Sequence, residues 1–429
     1  MNLADSLNLG CACQTLEAPN LREQLETSPA LAGLTERLAQ SHPHLFSKSA
    51  VFLDPGVQAQ IADAVAAIER VIALPAWRQQ ALARAPQIAS VDHGPGGVFM
   101  GYDFHITDDG PRLIEINSNA GGAFLNAALA RAHRACCASF KVVFDPRDQL
   151  RTLDSAFIDM FRAEWIAQRG LTPWRNVVIV DDAPLAQYLA PEFELARALF
   201  TAHGLQAVIA DPGELQWRDG ALWHPAWPEQ PVDMVYNRLT DFYLQDGAHA
   251  ALRLAHEAGA AVLTPHPRTH ALYAHKHNLI VLSDDAQLAA WGVTEADRDI
   301  LRRVVPATRH VTPETADVLW AQRRTLFFKP AAGFGARATY RGDKLTRRVW
   351  DEILAADYVA QTIVPPSERL VRVGDQTTHL KLDLRAYSYR GQVQLLAART
   401  WTGQTTNFRT EGGGFSPVVV LPETDHPLQ

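Results

Sequence analysis

Two carboxylates and one amide stand at a spacing that could hold a metal ion. Asp103, Glu115 and Asn117 lie in the stretch 101–117, where alternating apolar residues lead into an Asp-Asp-Gly-Pro turn and a second apolar run follows. This pattern predicts a β-hairpin, and pairing about Asp109 places Asp103 opposite Glu115, with Asn117 on the same face. Oxygen ligands of this kind suit Mg²⁺, which usually shares its coordination with substrate phosphates. A nucleotide is therefore the first ligand to expect.

A second group of residues could hold the phosphates of such a nucleotide. Lys329 ends a predicted strand and is followed by a small-residue loop that contains Gly333, Phe334 and Gly335. Glycines let main-chain amides approach phosphate oxygens, and an ammonium at a strand end neutralises them. A Gly-Phe-Gly turn alone occurs more often for its geometry than for any ligand. The stretch 357–368 that follows is either a hinge that reads a nucleobase or an extended linker.

Lys276 lies in a histidine-rich segment that has more than one interpretation. Alone, it would be a solvated lysine on a helix. The neighbouring His266, His270, His275 and His277 suggest zinc, but their spacing matches no standard helical ligand pair. Partly buried or surface histidines are the better interpretation.

Composition argues against several classes of protein. The chain has 429 residues, 47% hydrophobic and 20% charged, so two or three globular lobes are expected. A formal charge of -7 argues against a nucleic-acid partner. No run of about eighteen apolar residues and no signal-like start occur, so we expect a cytoplasmic protein without membrane association. The four cysteines, at positions 11, 13, 136 and 137, are too clustered for a disulfide framework.

The order of predicted elements indicates an α/β protein. Residues 31–85 have apolar residues at helical spacing and are expected to form a mostly helical scaffold. Over about residues 173–268, short strands of the buried type alternate with helices, which predicts a Rossmann-like parallel sheet without a dinucleotide fingerprint. A hairpin is also predicted from Asp383 to Ala398 across Arg390-Gly391. The strands predicted for the parallel sheet are Asn176–Asp182, Gln206–Asp211, Val232–Asn237 and Ala261–Thr264.

Taken together, these motifs resemble the ATP-grasp superfamily in a circularly permuted order. The usual member has its lysine motifs first and its metal motif, an Asp and a Glu-x-Asn, last, whereas here the metal motif comes first. The arrangement is similar to that of eukaryotic glutathione synthetase and glutathionylspermidine synthetase. The motifs that carry the resemblance are Gly101-Tyr-Asp103, Ile114-Glu-Ile-Asn117, Val235 to Tyr243, Phe328-Lys-Pro330, Gly333-Phe-Gly335, Gln361 to Val364, Asp383-Leu-Arg-Ala-Tyr387 and Thr406 to Gly414.

The resemblance implies an α/β chain that forms a circularly permuted ATP-grasp fold with a Rossmann-like parallel-sheet domain. Five regions are expected along the chain. They are a helical N-terminal scaffold (1–95), the metal-binding part of the permuted ATP-grasp lobe (96–172), a Rossmann-like substrate domain (173–270), a nucleotide-binding lobe (271–360), and a hinge with the C-terminal part of the ATP-grasp lobe (361–429).

The resemblance also implies roles for individual residues. Those expected to bind ATP are Lys276 and Lys329, the loop residues Gly333, Phe334 and Gly335, the adenine contacts Gln361, Ile363 and Val364, and the ribose candidate Glu368. Those expected to bind Mg²⁺ are Asp103, Glu115 and Asn117. The cations expected to meet the transferred phosphoryl group or the substrate carboxylate are Arg385, Arg399 and Arg409. The candidate substrate contacts are Asn119, Gly121, Arg238 and Tyr243.

The expected activity is ATP-dependent ligation of a carboxylate to an amine. The carboxylate of an amino acid or short peptide would attack the γ-phosphate to give an acyl phosphate, and an amine would then displace phosphate. Two alternatives stay open, a protein that binds ATP without turnover and a kinase that stops at the phosphorylated carboxylate. The sequence determines neither the two substrates nor whether the chain forms a homo-oligomer.

Overall fold

The computed structural model describes residues 2–133, 152–333 and 338–422, so that Phe334, Gly335, Cys136 and Cys137 lie outside it. In chain order the described strands are β1 (Val51–Leu53), β2 (Met100–Thr107), β3 (Gly110–Asn117), β4 (Asn176–Val180), β5 (Gln206–Ala210), β6 (Gln216–Arg218), β7 (Ala221–Trp223), β8 (Met234–Asn237), β9 (Val262–Thr264), β10 (Thr308–His310), β11 (Leu326–Pro330), β12 (Tyr340–Arg341), β13 (Tyr358–Thr362), β14 (Ser367–Val373), β15 (Gln376–Tyr389), β16 (Gln392–Trp401) and β17 (Gly414–Val420). The described α-helices are Leu3–Gly10, Ala18–Leu25, Leu34–Ser41, Pro55–Ile72, Pro75–Ala83, Ala123–Ala132, Leu153–Arg169, Ala190–Ala202, Ala250–Glu257, Pro267–Thr269, His277–Leu282, Asp285–Ala290, Glu295–Val304, Ala316–Gln322 and Arg347–Leu354. None of these helices is both long and apolar enough to cross a membrane.

A seven-stranded sheet brings together strands from both ends of the chain. Its order is β1-β17-β16-β15-β2-β3, and β14 pairs with the first half of β15 while β2 pairs with the second half. The hairpin predicted across Arg390 and Gly391 is confirmed as β15 and β16, and both turn residues have positive φ. The hairpin of β2 and β3 therefore lies beside strands that come much later in the sequence.

The N-terminal region covers one face of this large sheet. Ile61, Val65 and Ile68 recur at helical spacing on the helix Pro55–Ile72 and are buried in one core with Phe104 of β2. The prediction of a mostly helical scaffold missed β1, whose three apolar residues are all buried and pair in parallel with β17. The N-terminal region is thus part of the sheet as well as a cover for it.

The predicted parallel sheet is confirmed, with the order β5-β4-β8-β9 and parallel pairing throughout. Alternate residues of β4 enter different cores because successive side chains point to opposite faces. Val177 and Ile179 pack with the helices of the largest core, whereas Val178 and Val180 pack with the core on the other face. The near-continuous apolar sequence of β4 is the expected consequence of a strand buried on both faces.

A second four-stranded sheet, with the order β10-β13-β11-β12, is antiparallel. Leu319, Trp350 and Ile353 from two helices cover it and share a core with Phe328 of β11. The helices between residues 277 and 304 pack instead in the core of the large sheet. The core of this smaller lobe is drawn from residues between Val311 and Ala360, and the division of the chain into five regions stays a prediction.

Candidate active site

Cross-strand pairing places the three predicted metal ligands together. Asp103 pairs with Glu115 across β2 and β3, as the sequence predicted, and Asn117 Nδ2 donates to Asp103 Oδ2 and to Glu115 Oε1, both at 3.3 Å. The predicted symmetry about Asp109 is wrong near the turn, where Thr107 pairs with Gly110 and Phe104 pairs with Leu113, so the register shifts by one residue between Phe104 and Asp103. A bulge at Ile114 thus brings the two carboxylates opposite each other. The pairing is confirmed, whereas the role of these residues as metal ligands stays a prediction.

Two arginines, one on the adjacent strand β15 and one on the next strand β16, donate hydrogen bonds to Asp103. Arg385 pairs directly with Asp103 and donates from Nε at 2.6 Å and from Nη2 at 2.7 Å, and Arg399 Nη2 donates at 2.9 Å. Burial alone would raise the pKa of the Asp103 carboxyl, but the two guanidinium groups hold it well below its usual range. Asp103 is therefore ionised and fully engaged by cations, which leaves Glu115 as the carboxylate with fewer described partners.

Two ammonium groups reach this acidic cluster from elsewhere in the chain. Lys329 Nζ donates to Ile114 O and to Gln361 Oε1, both at 2.8 Å, and Lys276 Nζ donates to Gly333 O at 2.5 Å. Burial lowers the pKa of both lysines, that of Lys329 to about 8, and the nearby Glu115 carboxylate opposes this shift. Desolvated ammonium groups of this kind gain strongly from an anionic ligand.

A cavity of about 870 Å³ lies between the large sheet and the smaller antiparallel sheet, and both lysines face it together with Asp103, Glu115 and Arg399. Its volume falls within the range of about 300–1,000 Å³ that is typical of small-molecule sites. The predicted site residues that line it are Asp103, Glu115, Lys276, Lys329, Gly333, Gln361, Ile363, Val364, Glu368 and Arg399. Lining residues that the sequence analysis did not select include His105, Arg341, Lys344, Lys381, Asp383 and Trp401.

The three predicted arginines have different positions. Arg399 lines the cavity and is held by Asp383, with Nε to Oδ1 at 2.8 Å and Nη2 to Oδ2 at 3.0 Å. Arg385 lies behind Asp103 and is not among the described lining residues. Arg409 is exposed on the loop before β17 and does not line the cavity, so the structure does not bring it to the other two.

The hinge residues are fixed by contacts that the sequence did not indicate. Gln361 Oε1 accepts from Lys329, whereas the buried Gln361 Nε2 has no hydrogen-bond partner in the described part of the chain, and contact of this residue with adenine stays a prediction. His105 Nδ1 lies 2.7 Å from Val364 O and donates to it. Glu368 is exposed at the rim, opposite Lys381 in the β14–β15 ladder. His105 stands two residues after Asp103 on β2, so a period-two argument could have found it.

The predicted substrate contacts separate into two places. Arg238 Nη1 donates to Asn119 Oδ1, and Gly121 O accepts from Tyr387 Oη at 2.7 Å. Gly121 O also accepts from Arg385 Nη1 at 3.5 Å, so this group of residues lies next to Arg385. An added Cβ at Gly121 would come within 2.9 Å of Arg238 Nη2. Tyr243 lies apart and packs edge-on against His270. None of the four predicted contacts lines the described cavity.

Comparison with known proteins gives a likeness of fold. No family model and no curated protein matches the chain. A glutathione synthetase-like effector of Globodera pallida is similar in structure over 94% of this chain and 98% of its own, with a TM-score of 0.55 and 11% identity. A provisionally assigned gamma-glutamylcysteine synthetase of Methylobacillus flagellatus matches 82% of this chain and 83% of its own, with a TM-score of 0.46 and 10% identity. The ATP-grasp ligase PsnB, in complex with minimal precursor, Mg and ADP, matches 56% of this chain and 87% of its own, with a TM-score of 0.29 and 16% identity.

The likeness to the effector confirms the predicted fold class. The chain is a mixed α/β protein, as predicted, and its fold is similar to that of the glutathione synthetase-like effector. The circular permutation stays an interpretation of the order of the motifs.

Proposed function

We propose that this protein is an ATP-dependent carboxylate-amine ligase that forms an amide or peptide-like bond and releases ADP and phosphate. One observation carries the proposal. Two desolvated lysines, Lys276 and Lys329, face the same cavity as Glu115, Asp103 and Arg399, although these residues come from three distant parts of the chain. A triphosphate needs such a combination of cations and metal-ligating oxygens.

The acidic side of the cavity fits Mg²⁺. Glu115, Asp103 and Asn117 offer carboxylate and amide oxygens. The Asn117 NH₂ group donates to both carboxylates, so this amide would have to turn over to present its oxygen to the ion. Since Asp103 is engaged by Arg385 and Arg399, Glu115 would hold the ion most directly, with Asp103 and Asn117 beside it. Mg²⁺ in this place would neutralise charge on the β- and γ-phosphates.

The remaining residues would position ATP and the transferred group. Lys276 and Lys329 would bind phosphate oxygens, and burial makes each of them a stronger partner for an anion. Arg399, oriented by Asp383, would bind the transferred phosphoryl group. A substrate carboxylate oxygen would form a bond to the γ-phosphorus as the bond to ADP breaks. An amine would then attack the acyl carbon, and phosphate would leave.

The proposal is tested by measuring ADP release with Mg²⁺-ATP and panels of amino acids, short peptides and polyamines. A ligase should release ADP continuously only when both a carboxylate and an amine are present. ADP release with the carboxylate alone would indicate the kinase, and ATP binding without ADP release would indicate a binding protein.

A matched pair of variants connects this activity to the cavity. Glu115→Gln removes one carboxylate charge at the proposed Mg²⁺ position and should lower kcat at least about a hundredfold. Glu229→Gln makes the same change on an exposed residue of the parallel-sheet region and should leave kcat unchanged. Near-normal turnover of Glu115→Gln, with both variants folded as judged by circular dichroism, would contradict the proposed site.

A further inference from the structure

Three residues from separate segments converge outside the cavity described above. His277 opens the helix His277–Leu282, His310 ends β10, and Asp357 directly precedes β13. Asp357 Oδ1 lies 2.8 Å from His277 Nε2 and 3.1 Å from His310 Nε2. Potential ligand atoms of all three side chains lie within 4.8 Å of one another. Among the described residues, this is the one group of three histidine, cysteine or acidic side chains with that geometry.

The spacing of these atoms suits a small metal ion. In a tetrahedral zinc site with bonds of about 2.0–2.2 Å, neighbouring ligand atoms are about 3.3 Å apart. The two nitrogen-to-oxygen distances in the structure, 2.8 and 3.1 Å, are only slightly shorter. An ion could therefore replace the present hydrogen bonds after small movements of the side chains. Two imidazoles and one carboxylate also leave one coordination position for water.

The position of the group allows an ion to reach it from solution. The side chains of His310 and Asp357 are 45% and 53% exposed, whereas the side chain of His277 is only 12% exposed. Nitrogen ligands of this kind favour Zn²⁺ over Mg²⁺, which prefers oxygen. We propose that His277, His310 and Asp357 form a zinc site that is separate from the Mg²⁺ position proposed above.

Zinc at this site would connect the two sheets that border the cavity. The helix that begins at His277 packs in the core of the large sheet, whereas His310 lies in the smaller sheet and Asp357 directly precedes its strand β13. The main chain already links the site to the cavity, because Ala331 N donates to Asp357 O at 2.9 Å and Lys276 N donates to Ala331 O at 3.0 Å. A metal bridge here would therefore restrain both the end of β11, which carries Lys329, and the start of the helix that follows Lys276.

Calorimetric titration with ZnCl₂ tests the site directly. The protein should be free of affinity tags, stripped with EDTA, and kept in excess MgCl₂ so that the oxygen-rich Mg²⁺ position is occupied. We expect one Zn²⁺ per chain and a rise in thermal unfolding temperature with zinc. His310→Gln and Asp357→Asn should each weaken zinc binding at least about a hundredfold. Co²⁺ in place of zinc should give a visible absorption band that His310→Gln abolishes.

Two control variants distinguish this site from other sources of zinc binding. His203→Gln removes an exposed histidine far along the chain from all three ligands, and Glu115→Gln alters the proposed Mg²⁺ position. Both should bind zinc like the wild type. The proposal is overturned if the wild type takes up no stoichiometric zinc, if His310→Gln and Asp357→Asn bind it unchanged, or if Glu115→Gln alone loses it. Circular dichroism of the apo variants checks that each one folds.

Discussion

Replacing Lys329 by methionine should separate the contribution of this residue to stability from its contribution to ATP binding. The Lys329 ammonium is buried, and burial lowers its pKa from 10.5 to about 8. The folded protein thus holds a charge that the unfolded chain carries more easily in water. Methionine has a similar length and no charge. We expect Lys329→Met to lose measurable ATP binding and to change how stability depends on pH.

The size of the pH effect follows from the two pKa values. Because the folded pKa lies below the unfolded one, the wild type is least stable below pH 8 and gains stability as pH rises toward 10.5. At about 1.4 kcal/mol per pH unit, Lys329 changes the free energy of unfolding by about 3 kcal/mol over this range. As the pH rises over this range, the free energy of unfolding of Lys329→Met minus that of the wild type should therefore fall by about the same amount. The lost hydrogen bonds to Ile114 and Gln361 add an offset that does not depend on pH.

Urea unfolding of both proteins, in EDTA and without nucleotide, measures this difference between about pH 7 and pH 10.5. Lys344→Met is the matched control, because Lys344 is an exposed lysine at the rim of the same cavity. Its difference from the wild type should stay constant with pH. The reasoning is refuted if the Lys329→Met difference stays within about 0.5 kcal/mol over the whole range, or if Lys344→Met changes equally.

Two further predictions concern charged side chains held by the large sheet. Arg369 is buried and donates to Ala50 O at 2.7 Å and to Asn8 O at 3.1 Å, so Arg369→Met should lower the free energy of unfolding by on the order of 3 kcal/mol, measured by urea unfolding. Asp383→Asn should lower kcat roughly tenfold to a hundredfold, because Arg399 loses a bidentate partner, and should leave ATP affinity within about twofold. Steady-state kinetics measures kcat, and a titration with ATP measures the affinity.

Local sequence patterns predicted the strands and hairpins well. The apolar sequence of β4 was recognisable because a strand buried on both faces contains few polar residues. The turn at Arg390-Gly391 was recognisable because glycine readily adopts the positive φ that a tight hairpin needs. In both cases the structural reason lies within a few residues of the pattern, so no knowledge of distant neighbours was needed.

Residues whose role depends on contacts between segments were predicted less well. Asp383 follows the same period-two logic as Arg385, yet its importance becomes clear only when β16 places Arg399 directly opposite it. Arg409 was selected for its residue type, but it lies on a loop with no ladder to orient it. The zinc ligands proposed here were missed because His277 was compared with nearby histidines, whereas its partner Asp357 comes much later in the chain.

One extra residue in β3 determines whether the acidic cluster forms at all. Near the turn, Thr107 pairs with Gly110 and Phe104 pairs with Leu113, which is the register that a two-residue turn sets. If this register continued, Asp103 would lie opposite Ile114, and the Glu115 side chain would point to the other face of the sheet. The bulge at Ile114 corrects this by one position. The carbonyl of the same bulged residue accepts from the Lys329 ammonium. A single irregularity therefore aligns two carboxylates and receives a cation from the other sheet. The sequence pattern predicted the pairing of Asp103 with Glu115, but not the bulge that produces it.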